Sequence, residues 1–177
     1  DVATIFGYLK DLDANFVRLA HYPHDERMER TADRLGVMVW SEIPLWQRIS
    51  FDKPEVYAKA SHMLNEMIRR DRNKASVILW SVSNETGNFA VRTQFLTNLV
   101  NEARALDPSR LIPPALNTSH IEGNVGTLTD PFANVLDVVG LNEYMGWYTG
   151  KPEDCDTLQW TLPNKPVIMS EFGAEAK

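Results

Sequence analysis

Apolar residues recur along this chain in two alternating rhythms. Residues 26–35 place Met28, Ala32 and Leu35 at helical spacing, and Gly36 follows as a stop. In 54–70 the positions Val56, Tyr57, Ala60, Met63, Leu64, Met67 and Ile68 mark one helical face, with Pro54 in the first turn. Residues 91–106 repeat that pattern before Asp107-Pro108. Between these helices lie short Val/Ile/Leu-rich runs that read as buried strands: NFVRLAHY, VMVWSEIP, SVILWSVSNE, LIPPAL, VLDVVGLNEY and PVIMSE. The segment 117–134 reads as a long polar loop.

Six strands separated by helices or long connections predict a parallel sheet with helical crossovers. The polar ends of the strands fall near Ala20, Glu42, Glu85, Pro114, Tyr144 and Glu171, in steps of about 22 to 43 residues. That spacing fits the repeat of an eight-unit β/α barrel of the TIM type. A doubly wound open sheet is the rival, but no Gly-rich phosphate loop follows the first strand.

Charge and composition narrow the chemistry. A formal charge of -6, with no run of Lys or Arg, argues against a nucleic-acid partner. No apolar stretch approaches the roughly 18 residues of a membrane span, so no membrane partner is expected. The single cysteine, Cys155, excludes an internal disulfide and a C-x-x-C site. The chain opens without a leader-like segment, as if inside a helix, and stops one loop after a strand. It is therefore expected to be a fragment of something longer.

The unusual residues gather at strand ends. Arg18 and His21 end the first strand, Glu42 the second, Asn84 and Glu85 the third, Asn142 and Tyr144 the fifth, and Glu171 the last. In parallel α/β proteins the C-terminal ends of the strands are where active sites form. A carboxylate gains nothing by ending an apolar strand unless it is solvated, paired or used. Two glutamates three units apart can face each other over a bound molecule, and glycoside hydrolysis needs such a pair. A zinc site through His21, His24 and Asp25 is disfavoured, because there is no helical i, i+4 pair and no further ligand.

NFVRLAHYP, RDRNKASVILWSVSNE, GLNEYMGWY and VIMSEFG together resemble the successive barrel motifs of family 2 glycoside hydrolases, which include β-galactosidases and β-glucuronidases. The resemblance covers essentially the whole chain. It implies an incomplete TIM barrel over 1–177, holding about six of eight units (the second to seventh strands) and lacking the β-sandwich domains that precede the barrel in this family. It implies a retaining exo-β-glycosidase acting on a terminal β-galactoside or β-glucuronide, with Glu85 as acid/base, Glu171 as nucleophile and no cofactor. Asn84 would bond the sugar 2-hydroxyl, Arg18 and Tyr144 would orient Glu171, and His21, Glu42 and Asn142 would line the subsite. Trp147 could offer a ring face to the carbohydrate substrate.

Some family β-galactosidases bind magnesium through a Glu-x-His segment. Here the segment is Glu42-Ile43-Pro44, and proline cannot ligate, so no metal is expected. Two unpaired barrel edges would invite a homo-oligomer. A carbohydrate-binding fragment without turnover and a metal-dependent hydrolase of another barrel family are the alternatives.

Overall fold

The protein is described here by a computed structural model, covering residues 1–117 and 119–173. Helix α1 (Val2–Asp11) begins under a cap from the Asp1 side chain, which accepts from the Thr4 amide at 3.0 Å. It buries Phe6 and leads into strand β1 (Phe16–Leu19). Asp25 caps α2 (Glu26–Leu35), and Gly36 ends it with φ 69, a left-handed turn that costs a glycine little. Strand β2 (Met38–Glu42), helix α3 (Pro54–Asp71), strand β3 (Val77–Ser81) and helix α4 (Ala90–Leu106) follow.

The fourth predicted strand is much shorter than 111–116. Only Ala115–Leu116 forms a strand, β4. Pro113 and Pro114 carry no N–H and cannot donate to a ladder, so pairing before them shrinks to a bridge between Leu79 and Leu111. The segment 117–134 is not simply a loop. Strands β5 (Ser119–Glu122) and β6 (Val125–Leu128) form an antiparallel hairpin around Gly123-Asn124, with Gly123 at φ 60. A 3-10 turn over Pro131–Val135 comes next. Strand β7 (Val139–Asn142) precedes β8 (Gln159–Thr161), which joins the hairpin, and β9 (Val167–Glu171) closes the described chain.

β1, β2 and β3 pair in parallel, as do β4, β7 and β9. The two sheets are stitched together where the Ala115 amide donates to Ser83 O (3.1 Å) and the Glu85 amide to Ala115 O (2.9 Å). The result is one curved run of parallel strands in chain order, an α/β barrel sheet that does not close. Among the described residues β1 and β9 are its two outer strands.

The main core lies between sheet and helices. α4 contributes Phe95, Leu96, Leu99, Val100 and Ala103, and each large apolar side chain buried there contributes about 1.5–3 kcal/mol. The inner, concave face is built on Trp40, Leu79 and Ala115. Gly140 makes room for it: a Cβ there would lie 2.6 Å from the Trp40 ring and 2.3 Å from Pro114 O. Trp40 thus forms a floor just below the C-terminal ends of the strands.

Candidate active site

Arg18 is the hub of the mouth. Its guanidinium lies over the Trp40 ring, 5.1 Å from the centroid, with the side chain 7% exposed. Nε donates to Glu42 Oε2 at 2.8 Å and Nη2 to Glu42 Oε1 at 3.0 Å, a bidentate pair. Nη2 also reaches Asn84 Oδ1 at 2.7 Å, while Nη1 reaches Glu171 Oε1 at 2.6 Å. Burial alone would lower the Arg18 pKa, but bonds and charge from Glu42 and Glu171 raise it on balance.

Glu42, buried at 1% exposure, has a second partner. His21 Nδ1 lies 2.9 Å from Glu42 Oε1, and that contact pushes the imidazole pKa up against the opposing effect of burial. The exposed Trp46 ring stacks on His21 with centroids 6.3 Å apart. His24 turns away: its Nε2 bonds Ala20 O at 3.0 Å and its ring stacks on Tyr22, while Asp25 is occupied as a helix cap. The His21, His24 and Asp25 side chains are therefore engaged separately.

The last strand supplies Glu171. One of its oxygens takes the Arg18 bond, and the other accepts from Tyr144 Oη. Burial, the bond to Glu171 and the charges of Glu171 and Glu85 push the Tyr144 pKa up, so the phenol stays protonated and donates. Glu85 sits beyond the end of β3 rather than within it. Its φ of 49 is a left-handed conformation that side chains seldom adopt, and it turns the chain at the rim. Glu85 Oε1 accepts from Asn142 Nδ2 at 2.8 Å, and the same amide lies 3.2 Å from Asn84 Oδ1. Ser170 Oγ donates to Asn142 Oδ1 at 2.6 Å and so fixes which end of the amide points at Glu85.

Arg18, His21, Glu42, Asn84, Glu85, Asn142, Tyr144 and Glu171 therefore form one connected network at the C-terminal ends of the strands. Trp147 lies outside it. It contacts Tyr148 (6.1 Å), whose ring meets Tyr144 edge-on (5.3 Å), so two rings separate it from Glu171.

Sequence reasoning did not single out Ser170, which adjoins Glu171, or the stack of Trp46 on His21. It also missed a buried assembly behind Glu85. Arg92, fully buried, donates to Thr86 Oγ1 (2.9 Å), Thr86 O (3.2 Å) and Asp130 Oδ1 (2.9 Å). Nothing short of the fold brings residues 86, 92 and 130 together.

Chemically, the mouth offers one carboxylate held on both oxygens by strong donors and a second held on one oxygen by a neutral amide. The two are joined through Asn142, Asn84 and Arg18. Such an asymmetric pair can divide nucleophilic and proton-transfer roles.

Comparison with known proteins identifies the family of the chain. Residues 2–177 match the family model for glycosyl hydrolases family 2, TIM barrel domain. The chain is 33% identical to a β-glucuronidase of Streptococcus agalactiae, covering 94% of this chain and 32% of that protein. The structure of a β-D-glucuronidase from Dictyoglomus thermophilum superposes with a TM-score of 0.82 at 29% identity, over 99% of this chain and 33% of that one. A family 2 β-galacturonidase from Eisenbergiella tayi, solved with glycerol bound, gives a TM-score of 0.85 at 25% identity, over 99% and 32%. The chain thus spans about a third of the length of these relatives. It belongs to the TIM-barrel domain of glycosyl hydrolase family 2.

Proposed function

We propose that this chain carries the catalytic mouth of a retaining exo-β-glycosidase acting on a terminal β-linked sugar, a β-glucuronide in preference to a β-galactoside. The observation that carries the proposal is the unequal bonding of Glu171 and Glu85 within one network. The names of the relatives support the uronide.

Glu171, aligned by Arg18 and Tyr144, attacks the anomeric carbon. The bond to the leaving oxygen breaks as Glu85 delivers its proton there, leaving a glycosyl ester on Glu171 and a carboxylate at Glu85. Glu85 then takes a proton from water, whose oxygen attacks the anomeric carbon and releases Glu171. Two inversions give net retention. Asn84, oriented by Arg18 and Asn142, is available to bond the sugar 2-hydroxyl as charge develops on the ring. Glu42 and His21 form the polar wall beside it.

The test is hydrolysis of a nitrophenyl β-glucuronide, with the anomer released first identified by NMR. Release of the β-anomer, abolished in Glu171→Gln, supports the proposal. Release of the α-anomer would refute retention, and saturable sugar binding without turnover would replace the enzyme with a binding module.

A further inference from the structure

A cavity of about 450 Å³ shares Glu85 with the Arg18 network and none of that network's other residues. It is lined by Gln47, Arg48, Ile49, Glu85, Gly87 and Phe89. Resting on the glycosidase reading, we infer that this cavity is the leaving-group subsite and that it selects a flat-faced leaving group carrying a carboxylate.

Its position follows from the chemistry. The sugar ring that is attacked must lie against Glu171, whereas Glu85 must reach the oxygen between that ring and the departing group. A cavity that shares Glu85 but none of the other network residues is therefore on the departing side.

Its walls are built rather than loose. The segment leaving β2 runs alongside the extension of β3: the Asn84 amide donates to Leu45 O (2.8 Å) and the Gln47 amide to Asn84 O (3.3 Å). Gln47, at φ 57, makes the turn that presents Arg48. Opposite, Phe89 is 45% exposed yet anchored, its ring meeting Phe51 edge-on at 5.7 Å and Phe51 meeting Phe95 at 5.0 Å. A Cβ on Gly87 would press on the Phe89 ring at 3.2 Å, so glycine keeps that face open.

The charge is equally specific. Arg48 is the one cation in the lining and has no hydrogen-bond or ion-pair partner among the described residues. The nearby Asp52 is already paired with Lys53. An aromatic face with a free guanidinium beside it complements a ring bearing a carboxylate.

The experiment compares, in the intact protein, two aryl β-glycosides of the same sugar matched in leaving-group acidity, one neutral and one with a ring carboxylate. A disaccharide ending in a uronate, run beside its neutral counterpart, tells whether the acidic ring is itself a sugar. The expected result is a preference for the acidic partner in at least one pair, weakening as salt is raised. Arg48→Gln should then lower kcat/KM for the acidic substrate roughly fivefold more than for the neutral one, the scale of a solvent-facing charge contact. Phe89→Ala should raise KM for both aryl glycosides. Turnover without charge discrimination, or discrimination undiminished in Arg48→Gln, would overturn the inference and leave the glycosidase reading intact. No turnover of any substrate by the folded protein would overturn both.

Discussion

Arg18 on β1 and Glu171 on β9 meet at 2.6 Å, although 153 residues separate them and their strands are the two outer members of the open sheet. A side-chain pair therefore spans the gap that backbone hydrogen bonds leave unbridged. The same guanidinium neutralises Glu42 and orients Asn84, so one residue ties the two outer strands together and arranges the mouth.

Arg18→Met should be costly twice over. It would leave Glu42 buried beside only His21, and loss of one partner from such a buried pair destabilises by about 3–5 kcal/mol. Urea unfolding would measure that. Arg18→Lys restores the charge but not the fork, so it should regain stability more than activity.

The two proposed catalytic carboxylates should respond differently to the leaving group. Glu85→Ala should slow poor leaving groups by about 10²–10⁴-fold while sparing nitrophenyl glycosides, whose departure needs little protonation. Glu171→Gln should abolish turnover of both. Kinetics on a series of aryl glycosides would check this, and equal losses across the series in Glu85→Ala would remove it from the acid role.

Stability should fall as pH rises from acid to neutral, for two reasons. Burial pushes the Glu29 carboxyl up to about 7; one of its oxygens is unpartnered and the other lies 3.4 Å from Arg70. The unfolded chain ionises this group nearer the ordinary 4.5, so its favourable contribution disappears between about 4.5 and 7. His21, raised by Glu42, has its contribution in full below its unfolded value and loses it as pH passes the folded one. Glu29→Met should therefore flatten the lower window and gain on the order of 2 kcal/mol at pH 8. His21→Gln should flatten the upper window. Urea midpoints across pH 4–9 would show both.

Arg92→Met should destabilise by about 3–5 kcal/mol, because it breaks a fully buried ion pair with Asp130 and removes the bonds that hold Thr86. Activity should fall as well at temperatures where the variant is fully folded. Thr86, which Arg92 holds by both hydroxyl and carbonyl, adjoins Glu85 in its left-handed conformation. Thermal unfolding and kcat measured side by side would separate the two effects.

The helices were legible because their period and stops are local. Asp25 and Gly36 bracket α2 just where the apolar spacing begins and ends. The hairpin β5–β6 was not, since its short strands alternate weakly and are stabilised by β8, more than thirty residues further along. Phe89 and Arg48 carry no pattern of their own and acquire meaning only from their position beside Glu85.

What the sequence by itself determined is the succession of buried strands and amphipathic helices, and which polar residues stand at the strand ends. Those properties depend on spacing within a few residues, and hydrophobic burial enforces them. Only the tertiary structure decided that Arg18 reaches Glu171 and Glu42 together, that Trp147 stands two rings away, and that Arg92 lies behind Glu85. Such contacts depend on sheet curvature and side-chain direction over separations that no local periodicity encodes.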